Sequence, residues 1–489
     1  MDMTYSEFLL LAGKHKMVPV YKQILADLLT PISAYLRLSQ NSKYSFLFES
    51  VEKGTRFSRY SYIGRNPQKI INFADNKTTI TENNLNYESP NSYLDNLRTL
   101  VSSYSSCQIS GFPGFTGGVV GYLGYECIRL NEDIPIYDTD ELGVPDSVFM
   151  VYEDIIVFDH LKNRIIVFSN VNTETDDLPK AYAKANQRID ELGDDLHTDI
   201  DYQSPVKLKR SKIKFETTLE EFTDVVKQAK DHIKSGDIFQ VVLSQRFQRK
   251  TNAKPVDIYR ALRSINPSPY LFYIKIDDWA IIGASPELLV KVEDNTIILR
   301  PIAGTRHRGN SEQEDHLLEN ELLADKKECA EHLMLVDLGR NDVGKVSKFG
   351  TVKVHEFMQV EKYSHVMHII SEIHGKKRQD VDLIDALLSG FPAGTLTGAP
   401  KIRAMEIIHN LEKAKRNIYG GAVGFVDFCG NMNTCIAIRT MVVKDGIAYF
   451  QAGAGIVHDS DPEKEYNECI NKAKAINAAI DFAENGLVT

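Results

Sequence analysis

The 489-residue chain contains no C-x-x-C pair. Its six cysteines, Cys107, Cys127, Cys329, Cys429, Cys435 and Cys469, are scattered along the sequence. Neither a zinc centre nor a thioredoxin-type couple has support in that spacing, and free thiols in a reducing compartment are the expectation. No run approaches the roughly 20 apolar residues that a membrane-spanning helix needs. The opening Met1-Asp2-Met3-Thr4-Tyr5-Ser6-Glu7 lacks the basic start and apolar core of a secretory signal, so a cytoplasmic protein is expected. A basic surplus is also missing, because the net charge is −10. Chains that live on nucleic acid or on anionic membranes are usually basic. Any anionic ligand must therefore be gripped by a local site and not by the global field.

The residues present are those of a globular enzyme-sized chain. Hydrophobic residues make up 43% and charged residues 25%, ordinary values for a folded protein, and the length calls for two or three domain-sized units. The segment from Asn170 to about Lys214 reads as a boundary. It holds Asp176-Asp177, Asp194-Asp195 and the basic run Lys207-Leu208-Lys209-Arg210, with a helix expected from about Leu178 to Leu192. Strand-like runs precede it, such as 148–152 and 164–168. After it, Thr218 and Glu221 have capping-box spacing, Phe222, Val225, Val226, Ala229 and Ile233 mark one helix face, and Gly236 is placed to end that helix. The run from Ile238 to Phe247 reads as a strand.

Two echoes link the halves. Residues 117–122 (Gly-Gly-Val-Val-Gly-Tyr) repeat as 420–425 (Gly-Gly-Ala-Val-Gly-Phe), and Tyr62-Ile63-Gly64 with Pro67 repeats as Ile281-Ile282-Gly283 with Pro286. Glycines inside strands mark bulges or close backbone approach. From Gly64 to Gly117 is 53 residues, whereas Gly283 to Gly420 spans 137, so the second half carries about 84 more between its landmarks. Most chemically dense motifs fall in that excess, which predicts a duplicated scaffold with catalysis in one copy.

Four constellations stand out. Glu328-x-x-Glu331-His332, running on into 335–342 (Leu-Val-Asp-Leu-Gly-Arg-Asn-Asp), and Glu465-x-x-Glu468 each place two carboxylates on one helix face. Four carboxylates without cysteine would suit a hard cation such as Mg²⁺, although two solvated amphipathic helices have the same spacing. Residues 391–401 (Phe-Pro-Ala-Gly-Thr-Leu-Thr-Gly-Ala-Pro-Lys) form a glycine-bearing loop feeding a helix, with Pro400 suited to its first turn. Helix N-termini bind anions, but the spacing does not match a nucleotide loop, and a plain turn and cap is equally consistent. Tyr363-Ser364-His365-Val366-Met367-His368 offers a general base from either histidine, against the alternative of a structural imidazole. The run Gln451-Ala452-Gly453-Ala454-Gly455-Ile456-Val457 would let backbone N–H groups approach a carboxylate, or would form a structural bulge.

Together and in this order, the motifs resemble those of the chorismate-utilising enzymes, among them component I of anthranilate synthase, aminodeoxychorismate synthase, isochorismate synthase and salicylate synthase. The resemblance runs from about Tyr5 to the C-terminus and is strongest from Phe215 to Ala478. It implies an α+β fold of large antiparallel sheets with outer helices, internally duplicated, with the site deep between its two parts. It divides the chain into an N-terminal domain over residues 1–200, carrying a tryptophan regulatory element, and a chorismate-binding catalytic domain over 215–489. It also implies Mg²⁺ among Glu328, Glu331, Glu465 and Glu468, with Glu331 and Glu468 as direct ligands. Gly304, Thr305, Tyr419, Arg439, Gly453, Ala454, Gly455 and Lys472 match positions that grip the substrate. Glu287 matches the acid that protonates a departing 4-hydroxyl. His368 matches the catalytic histidine, and Thr395 lies beside it.

Two positions choose among these relatives. Ala303 stands where aminodeoxychorismate synthases usually carry a nucleophilic lysine. Gln240 stands where water-adding relatives carry a lysine base, and a neutral amide cannot deprotonate water. Both imply amination: ammonia attack at C2 of chorismate with loss of the hydroxyl, then elimination of pyruvate to give anthranilate, the first step of tryptophan biosynthesis. No cysteine has the glycine-rich setting of a glutaminase nucleophile, so ammonia is expected from a separate glutamine amidotransferase subunit, component II of anthranilate synthase, or from solution. Leu47-Phe48-Glu49-Ser50 departs by one aromatic ring from the family's Leu-Leu-Glu-Ser. With Pro267, Ser268 and Pro269 it implies a site for tryptophan as inhibitor, where a plain strand and turn is the alternative. A non-catalytic amino-acid-sensing relative remains the reading from another class, and aminodeoxychorismate synthase the nearer one.

Overall fold

A computed structural model describes residues 2–50, 59–135, 137, 140–175, 177–200, 202, 207–363 and 366–488. Two sheets, twelve-stranded among the described residues, form the body. The first follows the path Met17–Leu25, Arg164–Asn172, Asp154–Asp159, Tyr60–Arg65, Tyr44–Glu49, Tyr270–Ile276, Trp279–Ser285, Thr440–Lys444, Ile447–Ile456, Gln240–Lys250, Lys214–Phe215. The second follows Ile302–His307, Val366–Lys376, Thr296–Leu299, Leu288–Glu293, Met432–Ile436, Ala422–Asp427, Gly118–Leu123, Ser147–Tyr152, Lys69–Ala74, Lys77–Glu82, Leu85–Glu88. Neighbouring strands along both paths are antiparallel.

The paths are palindromic, which is the duplication in space. In the first sheet the halves meet where Tyr44–Glu49 pairs with Tyr270–Ile276, and in the second where Gly118–Leu123 pairs with Ala422–Asp427. The echoed glycines account for both matches. Gly121 and Gly424 are direct partners across the second seam. Gly64 lies under the Phe46 ring and Gly283 under the Phe272 ring; a Cβ would come within 2.3 Å and 2.0 Å of the respective ring. The stretches 1–200 and 215–489 describe sequence order, and each supplies strands to both sheets.

Alternation explains the layers. Phe46, Phe168, Phe272, Ile274 and Ile281 of the first sheet meet Val120, Tyr122, Met150 and Val423 of the second in one buried cluster. Each such large side chain contributes roughly 1.5–3 kcal/mol on burial. Helices cover the outer faces. Pro31–Leu38, Leu178–Asp195, Pro255–Ile265 and Pro462–Glu484 pack on the first sheet. Tyr93–Ser103, Lys326–Val346 and Leu383–Gly390 pack on the second.

The Thr218–Glu221 capping box forms and starts Leu219–Lys234, which buries Phe222, Val226 and Ala229. Gly236 follows in the left-handed region at φ +82. The expected strand begins two residues late, at Gln240, where it pairs with Ala399, and Phe239 donates to the Ala399 carbonyl at 2.8 Å. No helix among the described residues is long and apolar enough to cross a membrane.

Candidate active site

A cavity of about 670 Å³ opens where the C-terminal portions of the two sheets face each other. Its floor comes from Gln240–Lys250 and Ile447–Ile456, and its walls from Ile302–His307, Val366–Lys376 and the helices Lys326–Val346 and Pro462–Glu484. Gln240, Glu287, Gly304, Thr305, Glu328, Glu331, His368, Thr395, Tyr419, Arg439, Gly453, Gly455, Glu465, Glu468 and Lys472 all line it, as does Ala303. Residues up to 232 positions apart thus converge on one chamber.

Ala454 does not line it. Strand alternation turns its side chain away from that of its glycine neighbours, into a buried cluster with Val226 and Leu243. His365, the other histidine of its motif, lies outside the described residues.

The acid is Glu287. Its Oε1 accepts a hydrogen bond from the Thr395 hydroxyl at 2.9 Å. Burial drives its carboxyl up to about 7, against the opposing pull of that hydrogen bond and of Lys472. Such a group can hold a proton at neutral pH and release it on demand. His368 complements it. Its Nδ1 lies 2.9 Å from the Gly304 carbonyl and 3.1 Å from the Thr305 hydroxyl; with its hydrogen on Nδ1, donated to that carbonyl, the ring presents an Nε2 lone pair. Burial lowers its pKa and keeps the ring neutral. Gly304 can turn its carbonyl there because its φ is +71, a conformation that costs glycine little.

Arg439 is half-buried and makes no ion pair within 4 Å among the described residues; burial lowers its pKa. A guanidinium so placed suits an incoming carboxylate. Its backbone is also unusual, at φ +50. Lys472 spans 2.9 Å to the Gly453 carbonyl and 2.7 Å to Glu468. The glycine at 455 makes room for Gln240: a Cβ there would sit 2.7 Å from the amide nitrogen.

The two carboxylate helices meet across the cavity mouth. Asp325 caps the first, accepting from the backbone of Lys327 and Glu328. Burial, then the nearby charges of Glu328 and Glu468, raise the Glu331 carboxyl, and burial also raises Glu465. Crowded like charges of this kind are relieved by a cation. Among the described residues, however, no three acidic, His or Cys side chains stand close enough to ligate one ion together. Glu468 is held by Lys472, and Glu328 lies 3.8 Å from Arg306. The oxygen-only donor set fits a hard cation, provided these side chains swing inward from their present partners.

The rest of the Glu328–Asp342 motif is structural. His332 is fully buried, bonds Ser371 at 2.7 Å, and ties its helix to the strand of His368. Asp342 holds Lys401 at 2.7 Å and anchors the helix that follows the Thr395 loop. Pro400 caps that helix instead of entering its first turn. Sequence reasoning missed Lys327, Gln451 and Ser460, which also line the cavity. Lys327 abuts a quoted carboxylate and Gln451 opens the small-residue run, so position beside a motif was the available signal.

A second cavity, of about 360 Å³, lies at the seam of the first sheet. Phe48, Tyr60, Tyr62, Tyr270, Phe272 and Phe425 give it aromatic walls. Glu49, Ser50 and Pro269 border it. Pro267 is exposed instead, and Ser268 is buried with its hydroxyl on the Ala284 carbonyl. Alternation also sends the Glu49 carboxylate toward the helix Pro255–Ile265, where Arg263 binds it at 2.8 Å and Tyr259 at 2.7 Å. The Glu49 carboxylate therefore already has two partners on the side away from the cavity. The Ser50 hydroxyl is buried without a hydrogen-bond partner among the described residues.

Comparison with known proteins agrees with this geometry. The chorismate binding enzyme family matches residues 43–478. Anthranilate synthase component 1 of Acetivibrio thermocellus is 46% identical, covering 98% of each chain. That of Acinetobacter calcoaceticus is 43% identical, covering 100% of this chain and 99% of its own. The solved structure of anthranilate synthase component I from Streptococcus pneumoniae superposes with a TM-score of 0.78 at 39% identity, covering 93% of this chain and 99% of that one. The menaquinone-specific isochorismate synthase of Escherichia coli shares the fold, with a TM-score of 0.72 at 18% identity and 95% of each chain covered. By its matched residues and by the whole-length likeness to these relatives, the chain belongs to the chorismate binding enzyme family.

Proposed function

We propose that this chain is the subunit of anthranilate synthase that converts chorismate and ammonia to anthranilate and pyruvate. One observation carries the reading: a buried acid and a neutral imidazole share a cavity in which positions 240 and 303 hold an amide and a methyl group, not lysines. Ammonia is already a nucleophile and needs no base at 240, whereas water would. The likeness to anthranilate synthase component 1 of Acetivibrio thermocellus and Acinetobacter calcoaceticus supports the same product.

In this reading Arg439 and the backbone around Gly453 bind the carboxylates of chorismate. Ammonia forms a bond to C2, the ring double bonds shift, and the C4–O bond breaks as Glu287 delivers its proton to the departing hydroxyl, which leaves as water. The Nε2 of His368 then takes the C2 proton. The C–O bond to the enolpyruvyl group breaks, the ring becomes aromatic, and the released enolate takes up a proton to become pyruvate. Glu331 and Glu468, flanked by Glu328 and Glu465, would hold Mg²⁺, which supplies a positive charge that neutralises the ring carboxylate and makes the ring a better electrophile.

Ammonia comes from a separate glutamine amidotransferase, component II. Burial pushes the Cys429, Cys435 and Cys469 thiols up to about 12, the reverse of an activated nucleophile. The reaction then belongs in the cytoplasm, beside the other steps that make tryptophan. The aromatic second cavity takes tryptophan as an inhibitor.

The test is to incubate the purified chain with chorismate, ammonium and Mg²⁺ and follow anthranilate fluorescence. Product is expected with ammonium and not with glutamine alone. Glutamine-driven turnover would refute the separate partner. A 4-amino product would move the assignment to aminodeoxychorismate synthase.

A further inference from the structure

Arg416 lies outside the cavity, yet its guanidinium touches three of the segments that build it. Its side chain is 1% exposed. Nη1 donates to the Leu396 carbonyl at 2.6 Å, and Nη2 donates to the Val242 carbonyl at 2.8 Å. Nε and Nη2 also grip Glu412 as a fork, at 2.8 Å and 2.6 Å. Its charge lies 4.7 Å from the Tyr125 ring centre and 5.7 Å from that of Tyr419. Leu396 follows Thr395, and Val242 sits two residues from Gln240 on the cavity floor.

The anchor is itself anchored. One Glu412 oxygen accepts from both the backbone and the hydroxyl of Ser244, at 2.7 Å and 2.8 Å. The Glu126 carboxylate, from the N-terminal half, accepts the backbone N–H groups of Arg416 and Asn417 at 2.7 Å and 3.0 Å. Tyr125 donates its own N–H to the Asn417 carbonyl at 2.7 Å. The 3₁₀ segment Tyr125–Leu130 thus holds residues 416–417 from below, while the arginine holds the Thr395 loop from behind.

Thr395 must keep its hydroxyl on Glu287. On one side of it Thr397 is fixed to the Val242 N–H at 2.8 Å and to the Ala393 carbonyl at 2.9 Å, and the Leu396 carbonyl between them is the point that Arg416 holds. The 3₁₀ turn Gly394–Leu396 is three residues long, and a short isolated turn is marginal alone. A bidentate arginine is the side chain that can hold two carbonyls and one carboxylate in a single plane.

We propose that Arg416 is a positioning residue which, by holding the Leu396 carbonyl, sets the Thr395 hydroxyl on Glu287, with Glu126 supplying its support from the other half of the molecule. This rests on the roles given above to Thr395 and Glu287.

The test is a double-mutant cycle read in steady-state kinetics with chorismate and ammonium. Lysine at 416 keeps the charge but cannot make the same set of bonds. Arg416→Lys is expected to lower kcat by roughly 10- to 100-fold, the scale on which small misplacement acts, with the chorismate KM changing less than threefold. Thr395→Val is expected to lower kcat comparably. The double variant should be no more than about twofold slower than the slower single variant, because groups acting through one another are not additive. Multiplied losses would overturn the proposal, as would unchanged kcat in folded Arg416→Lys. If that variant does not fold, Glu412→Gln weakens the same grip while leaving Arg416 in place, and the same cycle against Thr395→Val applies. Wild-type protein that makes no anthranilate would instead overturn the reading of the site, and this inference with it.

Discussion

The two halves carry the same strands in mirrored order, but the 670 Å³ cavity is lined by the second alone. Between Gly64 and Gly117 the first half fits three strands and the helix Tyr93–Ser103. Between Gly283 and Gly420 the second fits the corresponding strands, with Val366–Lys376, the strand of His368, in the place of Leu85–Glu88, and adds the helices Glu312–Ala324 and Lys326–Val346, the latter bearing Glu328 and Glu331. The shared part makes sheets and seams; the added part makes a chamber against them. The first half then serves in two other ways. It supports the chamber from below through Glu126, and it forms one wall of the aromatic cavity at the seam. Duplication here supplies a scaffold, and the larger chamber is built from strands and helices of the second copy.

If chemistry is confined to the second half, the largest losses come from its carboxylates and the chain should survive them. Glu331→Gln and Glu468→Gln are each expected to abolish anthranilate formation while circular dichroism and melting temperature stay near wild type. Each removes a charged oxygen from a crowded set, a change that costs catalysis but relieves repulsion. Near-normal turnover of either variant at low Mg²⁺ would remove the metal from these residues.

A smaller loss is expected at Glu287. Replacing a general acid costs typically 10²–10⁴-fold, so Glu287→Gln should fall in that range. The sign of the pH dependence follows from burial. The carboxyl is raised to about 7, so its proton is present below that pH and lost above it. Wild-type kcat/KM should therefore decline above about pH 7, and the Glu287→Gln profile should lack that limb. An unchanged alkaline limb in the variant would assign it to another group.

The scaffold is where the halves should behave alike. A side chain at Gly121 would meet the Val148 carbonyl at 2.0 Å, and one at Gly424 the Asn433 carbonyl at 2.1 Å. Gly121→Val and Gly424→Val should each destabilise by at least the roughly 1–3 kcal/mol of an overpacked core, and by similar amounts in urea melts. A large effect on one side only would break the equivalence of the two seams.

Much of this was legible in the sequence because local rules act locally. Capping spacing placed the helix after Thr218, and pairs three residues apart placed both carboxylate couples on helices. The glycine echoes found the duplication, since strands that approach closely admit no side chain. Long-range facts were not legible. Nothing in periodicity says that residues 44–49 pair with 270–276, so sequence order alone suggests two units where the sheets are shared. The opposed faces of adjacent residues misled twice. Ala454 turns away between two glycines that line the chamber, and the Glu49 carboxylate turns from the cavity that Phe48 and Ser50 face. Arg416 left no signal, because a residue that acts through main-chain carbonyls of distant segments has no motif of its own.

The least effect on turnover, and the clearest separation of the halves, is expected at Ser50. Tryptophan should inhibit by occupying the seam cavity, whose walls come from both halves. Inhibition requires that it bind a less active arrangement of the halves more tightly, because a ligand with equal affinity for both states shifts nothing. The route to the chamber is short. Tyr270 of the cavity wall pairs with Ser285, two residues before Glu287, and the Ser285 hydroxyl holds the Ile436 carbonyl at 2.6 Å. With Glu49 held by Arg263, the buried Ser50 hydroxyl and the buried Asn433 Oδ1, neither with a hydrogen-bond partner among the described residues, are polar groups placed to meet the ligand. Ser50→Phe replaces the hydroxyl with a ring that fills the space. The variant should keep catalysis within about twofold and lose inhibition at tryptophan concentrations that halve wild-type turnover. Titrating tryptophan at several chorismate concentrations reads both quantities. Equal inhibition of the two proteins would exclude this cavity, and inhibition of neither would mean that Phe48 has already closed it to the indole.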